Sequence, residues 1–196
     1  MENDYKGVIP TKGDLKINSS RSMKPKAKVY IDGANMFYTQ KKLGWFLDWK
    51  KMKEFLNERW DVLEIKYYVG IKEGDEKMQS FLRYLDKIGV MPVTKPLKII
   101  RVSEDHPLKK LYNYSEIYKS NCDVEITTDI LLERANLDEV ILFSGDSDFR
   151  YLIKKLKDLG KKVIVFSSRK TISWEVKLES SEYIYLEDIK DRIKRE

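Results

Sequence analysis

The chain of 196 residues is long enough for one domain with its own core, and 42% apolar with 36% charged residues is ordinary for a soluble globular protein. No apolar run approaches the roughly 20 residues that span a bilayer, and the N-terminus lacks the apolar stretch of a secretion signal, so a cytoplasmic protein without membrane contact is expected. The single Cys122 excludes an internal disulfide, the single His106 excludes a His/Cys zinc cluster, and the net charge of +6 suits a polyanionic partner.

Residues 1–26 scatter Gly7, Pro10, Gly13, Ser19, Ser20 and Pro25 among few apolar side chains, which predicts an irregular arm with at most a short ordered piece at Val8-Ile9. The domain then runs over residues 27–196. Ala27–Ile31 reads as the first strand. Asp48 caps a helix whose apolar face is Trp49, Met52, Leu56 and Trp60. A strand over 62–69 precedes an amphipathic helix over 75–88, with Met78, Phe81, Leu82, Leu85 and Ile88 on one stripe and Gly89 as its stop.

Residues 90–93 form a strand that ends before Pro96, and 97–102 an extended piece paired with the region of Leu111-Tyr112. A helix follows over 121–136, then a strand over 140–143, a helix over 148–159 stopped by Gly160, and a strand over 163–166. The chain closes with a helix over 171–178, a short strand over 183–185 and a terminal helix over 187–194. Strands that alternate with long helices predict an α/β protein: three layers, α/β/α, around a doubly wound, mainly parallel sheet. Such folds bind ligands beyond the carboxyl ends of the strands, where strand order reverses.

Acids stand at two such ends. Val29-Tyr30-Ile31 runs into Asp32-Gly33-Ala34-Asn35, and Val140-Ile141-Leu142-Phe143 runs into Ser144-Gly145-Asp146-Ser147-Asp148-Phe149. If these two strands are neighbours, Asp32 and Asp146 converge. Gly145 permits a tight turn there. Asp is also a favoured helix N-cap, so capping competes with metal binding at each position; Asp148 carries more of the capping reading and Asp146 more of the metal reading. Asn35 would turn its amide toward the same cleft, to orient a phosphate or a water.

Asp123 opens the helix over 121–136 as its N-cap or as a further acid of the site, with Thr127 one turn along as a secondary candidate. Asp129 points to another side of that helix, where a hydrogen bond or ion pair to a neighbouring element competes with a catalytic role. All-oxygen donor sets select hard ions, here Mg²⁺ or Mn²⁺, and the acids lack the spacing of a calcium loop. No G-x-G-x-x-G follows the first strand, which excludes the dinucleotide fingerprint.

Lys109, Lys110, Tyr112, Tyr114, Tyr118 and Lys119 interleave cations with aromatic rings, which suits the unpaired bases and phosphates of single-stranded RNA; a solvated hairpin with packed tyrosines is the competing reading. Arg169 and Lys170 follow the carboxyl end of the strand over 163–166 and are further phosphate candidates. Lys154, Lys155 and Lys157 read as a solvated helix face, and His106 has no assigned role.

Taken in order, Tyr30-Ile31-Asp32-Gly33-Ala34-Asn35, Asn121-Cys122-Asp123-Val124-Glu125-Ile126 and Phe143-Ser144-Gly145-Asp146-Ser147-Asp148-Phe149 resemble the NYN-domain family, the LabA-like branch of the PIN-like nuclease superfamily, over about residues 27 to 187. The resemblance implies a parallel α/β/α sheet, an acidic divalent-metal site and ribonuclease activity that leaves a 5′-phosphate. Asp32, Asn35, Asp123, Asp146 and Asp148 match the family's acidic site, and Asp129 matches a further recurring acid. Asn121-Cys122 stands where the family usually has Gly-Val, and Ser181-Glu182 where it often has Ala-Asp. A non-catalytic RNA-binding or regulatory scaffold and a small-molecule phosphohydrolase are the alternatives, and a homo-oligomer is left open.

Overall fold

The computed structural model describes residues 24–101, 116–119 and 121–196. The arm up to residue 23, His106 and the segment from Lys109 to Tyr114 lie outside the described residues. Six parallel strands make the central sheet: β1 (Lys26–Asp32), β2 (Asp61–Ile71), β3 (Met91–Pro96), β6 (Glu139–Phe143), β7 (Lys162–Ser167) and β8 (Glu182–Tyr185). They lie in the order β3-β2-β1-β6-β7-β8, so strand order reverses between β1 and β6.

A separate antiparallel pair joins β4 (Lys98–Arg101) to β5 (Glu116–Lys119), with Ile99 opposite Tyr118. Among the described residues the partner of this segment is therefore 116–119; the region of Leu111-Tyr112, expected from the sequence to pair with it, lies outside them. The expected end of β3 before Pro96 is too early. Both Pro92 and Pro96 belong to β3, which is possible because β3 is an edge strand, with one side free of ladder bonds among the described residues.

Helices cover both faces. On one side lie α1 (Gly33–Leu43), α2 (Trp49–Arg59), α3 (Glu76–Lys87) and α7 (Lys190–Ile193); on the other lie α4 (Asp123–Glu133), α5 (Arg150–Asp158) and α6 (Trp174–Glu179). Coverage from both sides explains why the central strands read as unbroken apolar runs: all five residues of β6 are buried. Odd and even positions feed different cores. Val29 and Ile31 pack with Met36, Met52 and Leu56 on one face, and Tyr30 packs with Ile126, Ile130 and Leu152 on the other.

Phe143 and Phe166 stack at 4.5 Å between centroids, with Trp49 and Trp60 set edge-on against them. Each such ring buried from water stabilises the fold by roughly 1.5–3 kcal/mol. The indole N–H of Trp60 donates to Glu139 Oε2 at 2.5 Å, which satisfies both groups inside the core.

Local chemistry sets the element ends. The Asp48 side chain accepts from the N–H groups of Lys50 and Lys51, and the Asp75 side chain accepts from Met78 N. Gly89 and Gly160 adopt φ of 73° and 75° directly after α3 and α5, the left-handed region that stops helices. The helix expected over 148–159 divides into a 3₁₀ turn, Ser147–Phe149, and α5. That expected over 121–136 divides into α4 and the 3₁₀ turn Arg134–Asn136. The C-terminal helix likewise starts as a 3₁₀ turn, Leu186–Ile189.

Candidate functional site

The topological reversal places the ends of β1 and β6 side by side, with Ile31 opposite Phe143 in the parallel ladder. Asp32 is the last residue of β1 and also the N-cap of α1: its Oδ1 accepts from Asn35 N at 3.0 Å. Its Oδ2 accepts from the hydroxyl of Ser144, the first residue beyond β6, at 3.2 Å. The same Ser144 oxygen accepts from Asp146 N at 3.2 Å. Asn35 Oδ1 accepts from Gly145 N at 3.1 Å. Two side chains from one strand end thus hold the loop that follows the other.

Close packing fixes this loop further. A Cβ on Gly145 would lie 2.4 Å from the Thr171 carbonyl oxygen and 2.6 Å from Ser167 Oγ. Glycine is required there because the backbone of the loop before α6 passes so near, and not for the turn conformation expected from the sequence, since Gly145 is not among the glycines with positive φ. Gly145 O also accepts from Ser173 N at 2.8 Å, which ties the start of α6 to the acid-bearing loop. Gly33 is equally confined: a Cβ would lie 2.6 Å from the Tyr68 carbonyl oxygen.

From this frame Asp146 and Asp148 meet Asp123. Carboxylate oxygens of the three lie within 4.8 Å of one another, with Asp123 and Asp146 half-buried and Asp148 exposed. Like charges at that spacing repel by about 1 kcal/mol per pair in water and about 3.5 kcal/mol at an effective dielectric of 20. Lys95 acts on Asp123 from a distance, yet its own ammonium is committed to both oxygens of Glu125 at 2.9 Å. Among the described residues no Lys or Arg forms an ion pair with any of the three acids. Hard oxygen donors this close together, with no cation of the described residues paired to them, fit a divalent ion.

The electrostatics agree with the geometry. Burial pushes the Asp32 carboxyl up to about 6, opposed by the Asn35 N–H and the Ser144 hydroxyl and reinforced by the charges of Asp123 and Asp146. Burial also raises Asp123, against the hydrogen bond from Asn121, with Asp146 and Asp148 adding to the rise. Asp32, expected to converge with Asp146, stands outside the 4.8 Å trio; it is buried, and the charges of Asp123 and Asp146 act on it.

Capping is distributed differently from the expectation. Asp146, not Asp148, caps its turn, through Oδ1 accepting from Asp148 N at 3.1 Å. Asp148 follows the cap, so its carboxylate has no capping bond to make. Asp123 is not an N-cap either: Cys122 holds that position, and Asn121 Oδ1 accepts from Asp123 N at 2.8 Å. Ser144 went unassigned in the sequence reading. Its signal was faint: a small hydroxyl residue directly after five buried strand positions.

The remaining candidates fall elsewhere. Thr127 sits half-buried one turn along α4 from Asp123. Asp129 accepts from Tyr68 Oη at 2.8 Å and from Lys66 Nζ at 3.1 Å. Lys66 also pairs with Glu133, which accepts from Lys28 Nζ and Tyr30 Oη at 3.0 Å each. These groups form an ion-pair cluster between α4 and the sheet. Burial disfavours the Lys66 ammonium, but its bonds to Glu133 and Asp129 more than offset this and raise its pKa.

Lys119 ends β5, while Tyr112 and Tyr114 lie outside the described residues. Arg169 and Lys170 are exposed in the loop after β7. The Arg169 guanidinium pairs with Asp188, and Lys170 Nζ donates to Lys42 O at 3.1 Å. No helix among the described residues is long and apolar enough to cross a membrane.

The family model described as NYN domain matches residues 26–187. Low amplitude and bright protein LabA of Synechococcus elongatus is 31% identical over 169 residues, covering 85% of this chain and 87% of that protein. Among solved structures, a Vibrio parahaemolyticus protein of unknown function superposes with a TM-score of 0.70 over 88% of this chain and 98% of that one; at 22% identity it shares the fold.

Proposed function

Because the chain belongs to the NYN-domain family, we propose that it is a divalent-metal-dependent ribonuclease, acting on RNA phosphodiester bonds with Mg²⁺ or Mn²⁺ as its ion. The family and the acid cluster suggest a nuclease. The observation that carries it is the convergence of Asp123, Asp146 and Asp148, brought from α4 and the loop after β6 to within 4.8 Å, with no basic residue among the described ones paired to them.

In this reading Asp123, Asp146 and Asp148 supply the oxygen ligands, and Asp32 adds to the negative field. An ion bound there supplies Lewis acidity toward a phosphate oxygen and toward water. The chain's own residues do the positioning. Ser144 and the Asn35 N–H hold the Asp32 carboxylate in one orientation. Asn35 spends its carbonyl oxygen on Gly145 N, so its amide NH₂ is the part of that side chain suited to meet a phosphate oxygen or a water. Arg169 and Lys170, at the same end of the sheet, are suited to the flanking phosphates.

Two measurements test this together. Mn²⁺ added to the wild-type chain should raise its melting temperature, and Asp146→Asn or Asp123→Asn should abolish the shift. Cleavage of an end-labelled single-stranded RNA should require the ion and fall at least 100-fold in the same variants. Wild-type cleavage by Asp146→Asn would refute the assignment. RNA binding that persists in EDTA, with no cleavage in Mn²⁺, would identify a non-catalytic RNA-binding protein, and turnover of p-nitrophenyl phosphate without RNA cleavage a small-molecule phosphohydrolase.

A further inference from the structure

Beside the acidic loop the surface changes character. Trp174, the first residue of α6, is 65% exposed, although the residue before it is bonded to Gly145 of the acid-bearing loop. Lys177, one turn on, lies 5.8 Å from the Trp174 ring centroid, 5.2 Å from that of Tyr183 and 5.5 Å from that of Tyr185. The Arg169 guanidinium stacks over Tyr185 at 4.0 Å. Tyr183 and Tyr185 are two apart on β8, so they share one face of the edge strand, with ring centroids 5.2 Å apart. Their alternate, Ile184, packs against the opposite core.

The core contact of α6 is Val176, which is fully buried, while Trp174 faces water. An exposed indole costs hydrophobic free energy, and Lys177 lies within cation–π distance of the Trp174, Tyr183 and Tyr185 rings. Asp188 neutralises part of the Arg169 charge and fixes the guanidinium plane; Lys177 has no salt bridge among the described residues and supplies the positive charge of the patch.

We infer that Trp174, Tyr183, Tyr185, Lys177 and Arg169 form a stacking platform for unpaired bases, which selects single-stranded RNA and leads it into the acidic site. The inference rests on RNA being the substrate, as read above. Ring faces interleaved with cations recognise unpaired bases and their phosphates, whereas a duplex hides its base faces. The patch is continuous with the acid-bearing loop through the Ser173–Gly145 bond. A strand stacked on Trp174 would therefore lie beside the loop that carries Asp146 and Asp148.

The test is binding of a fluorescein-labelled twelve-nucleotide single-stranded RNA to the full chain in EDTA, beside a duplex of the same length. Trp174→Ala should weaken single-strand binding on the order of ten-fold or more, from the usual worth of one base–aromatic stack. Trp174→Phe should restore most of it, and the duplex should bind weakly to all forms. Because Trp174 is exposed, melting curves of the variants should overlay the wild type.

Equal single-strand affinity in wild type and Trp174→Ala overturns the proposal. So does a wild-type dimer on sizing that Trp174→Ala disperses while RNA affinity is unchanged, since the patch would then pair with a second copy. Single-strand binding in EDTA that Trp174→Ala weakens, together with no cleavage in Mn²⁺ by the wild type, would leave the platform standing and remove the nuclease reading.

Discussion

Asp32→Asn offers the sharpest test of how the site is built. Asp32 is 7% exposed and its carboxyl is raised from 3.8 to about 6, chiefly by burial. The folded state then binds the proton more tightly than the unfolded chain, so ionisation opposes folding. That penalty is absent well below pH 3.8, grows through the window between the two values, and is complete above about 6. A shift of this size amounts to about 3 kcal/mol at neutral pH and about 0.5 kcal/mol at pH 4.

Asn keeps the geometry without the charge. Its Oδ1 can accept from Asn35 N, and its NH₂ can donate to Ser144 Oγ, which has a second lone pair for Asp146 N. In EDTA at pH 7.5 the variant should therefore melt higher than the wild type, by roughly 6–12 °C for a chain of this size. At pH 4 the two should melt within a few degrees of each other. Added Mn²⁺ should narrow the gap at pH 7.5 by stabilising the wild type more. A variant destabilised to the same extent at both pH values would refute the reasoning, because Asp32 would then act as an ordinary low-pKa cap.

Gly145→Ala places a methyl 2.4 Å from a backbone carbonyl that cannot rotate away. The loop must shift, so we expect a loss of about 2 kcal/mol in urea unfolding and a weakened Mn²⁺-dependent thermal shift; an unaltered shift would show that the acids do not depend on this packing. Lys66→Ala leaves Asp129 and Glu133 without their shared cation and should cost about 3 kcal/mol near neutrality. Glu133 would otherwise be raised by burial, but its bonds from Lys66, Lys28 and Tyr30 lower it below the usual 4.5, so the stability it contributes is present above that value and fades as pH falls through the folded-state value. The Lys66→Ala loss should accordingly shrink in acid unfolding series, and a constant difference from pH 7 to pH 3 would argue against the ion-pair account.

The sheet was legible in the sequence because each central strand is buried on both faces and ends on a punctuating residue. Val140 to Phe143 is one such run, and Ser144-Gly145 marks where it stops. That the ends of β1 and β6 lie side by side followed from topology alone, once two strands were assigned to the reversal point; the acids within 4.8 Å of one another there are Asp123, Asp146 and Asp148, with Asp32 outside the trio. The roles within the site were less legible. Whether Asp146 or Asp148 caps depends on a 3₁₀ turn between strand and helix, and no periodicity marks so short a turn. The need for Gly145 was invisible as well, since it arises from Thr171, distant in sequence. The pairing of β4 with β5 was not read from the sequence, because Leu111-Tyr112 and Ile117-Tyr118 have similar strand character and register is set by contacts that local composition does not encode.

The bond between Ser144 and Asp32 spans 112 residues of sequence. During synthesis β1 is therefore completed long before the strand that gives its acid a purpose, and its β6-facing edge stays unpaired for that interval. A nascent or truncated chain that stops short of β6 carries Asp32 and Asn35 but none of the loop they hold. The hazardous chemistry proposed for this site thus exists only once the sheet has closed over its centre, which makes complete folding the first safeguard against indiscriminate cutting.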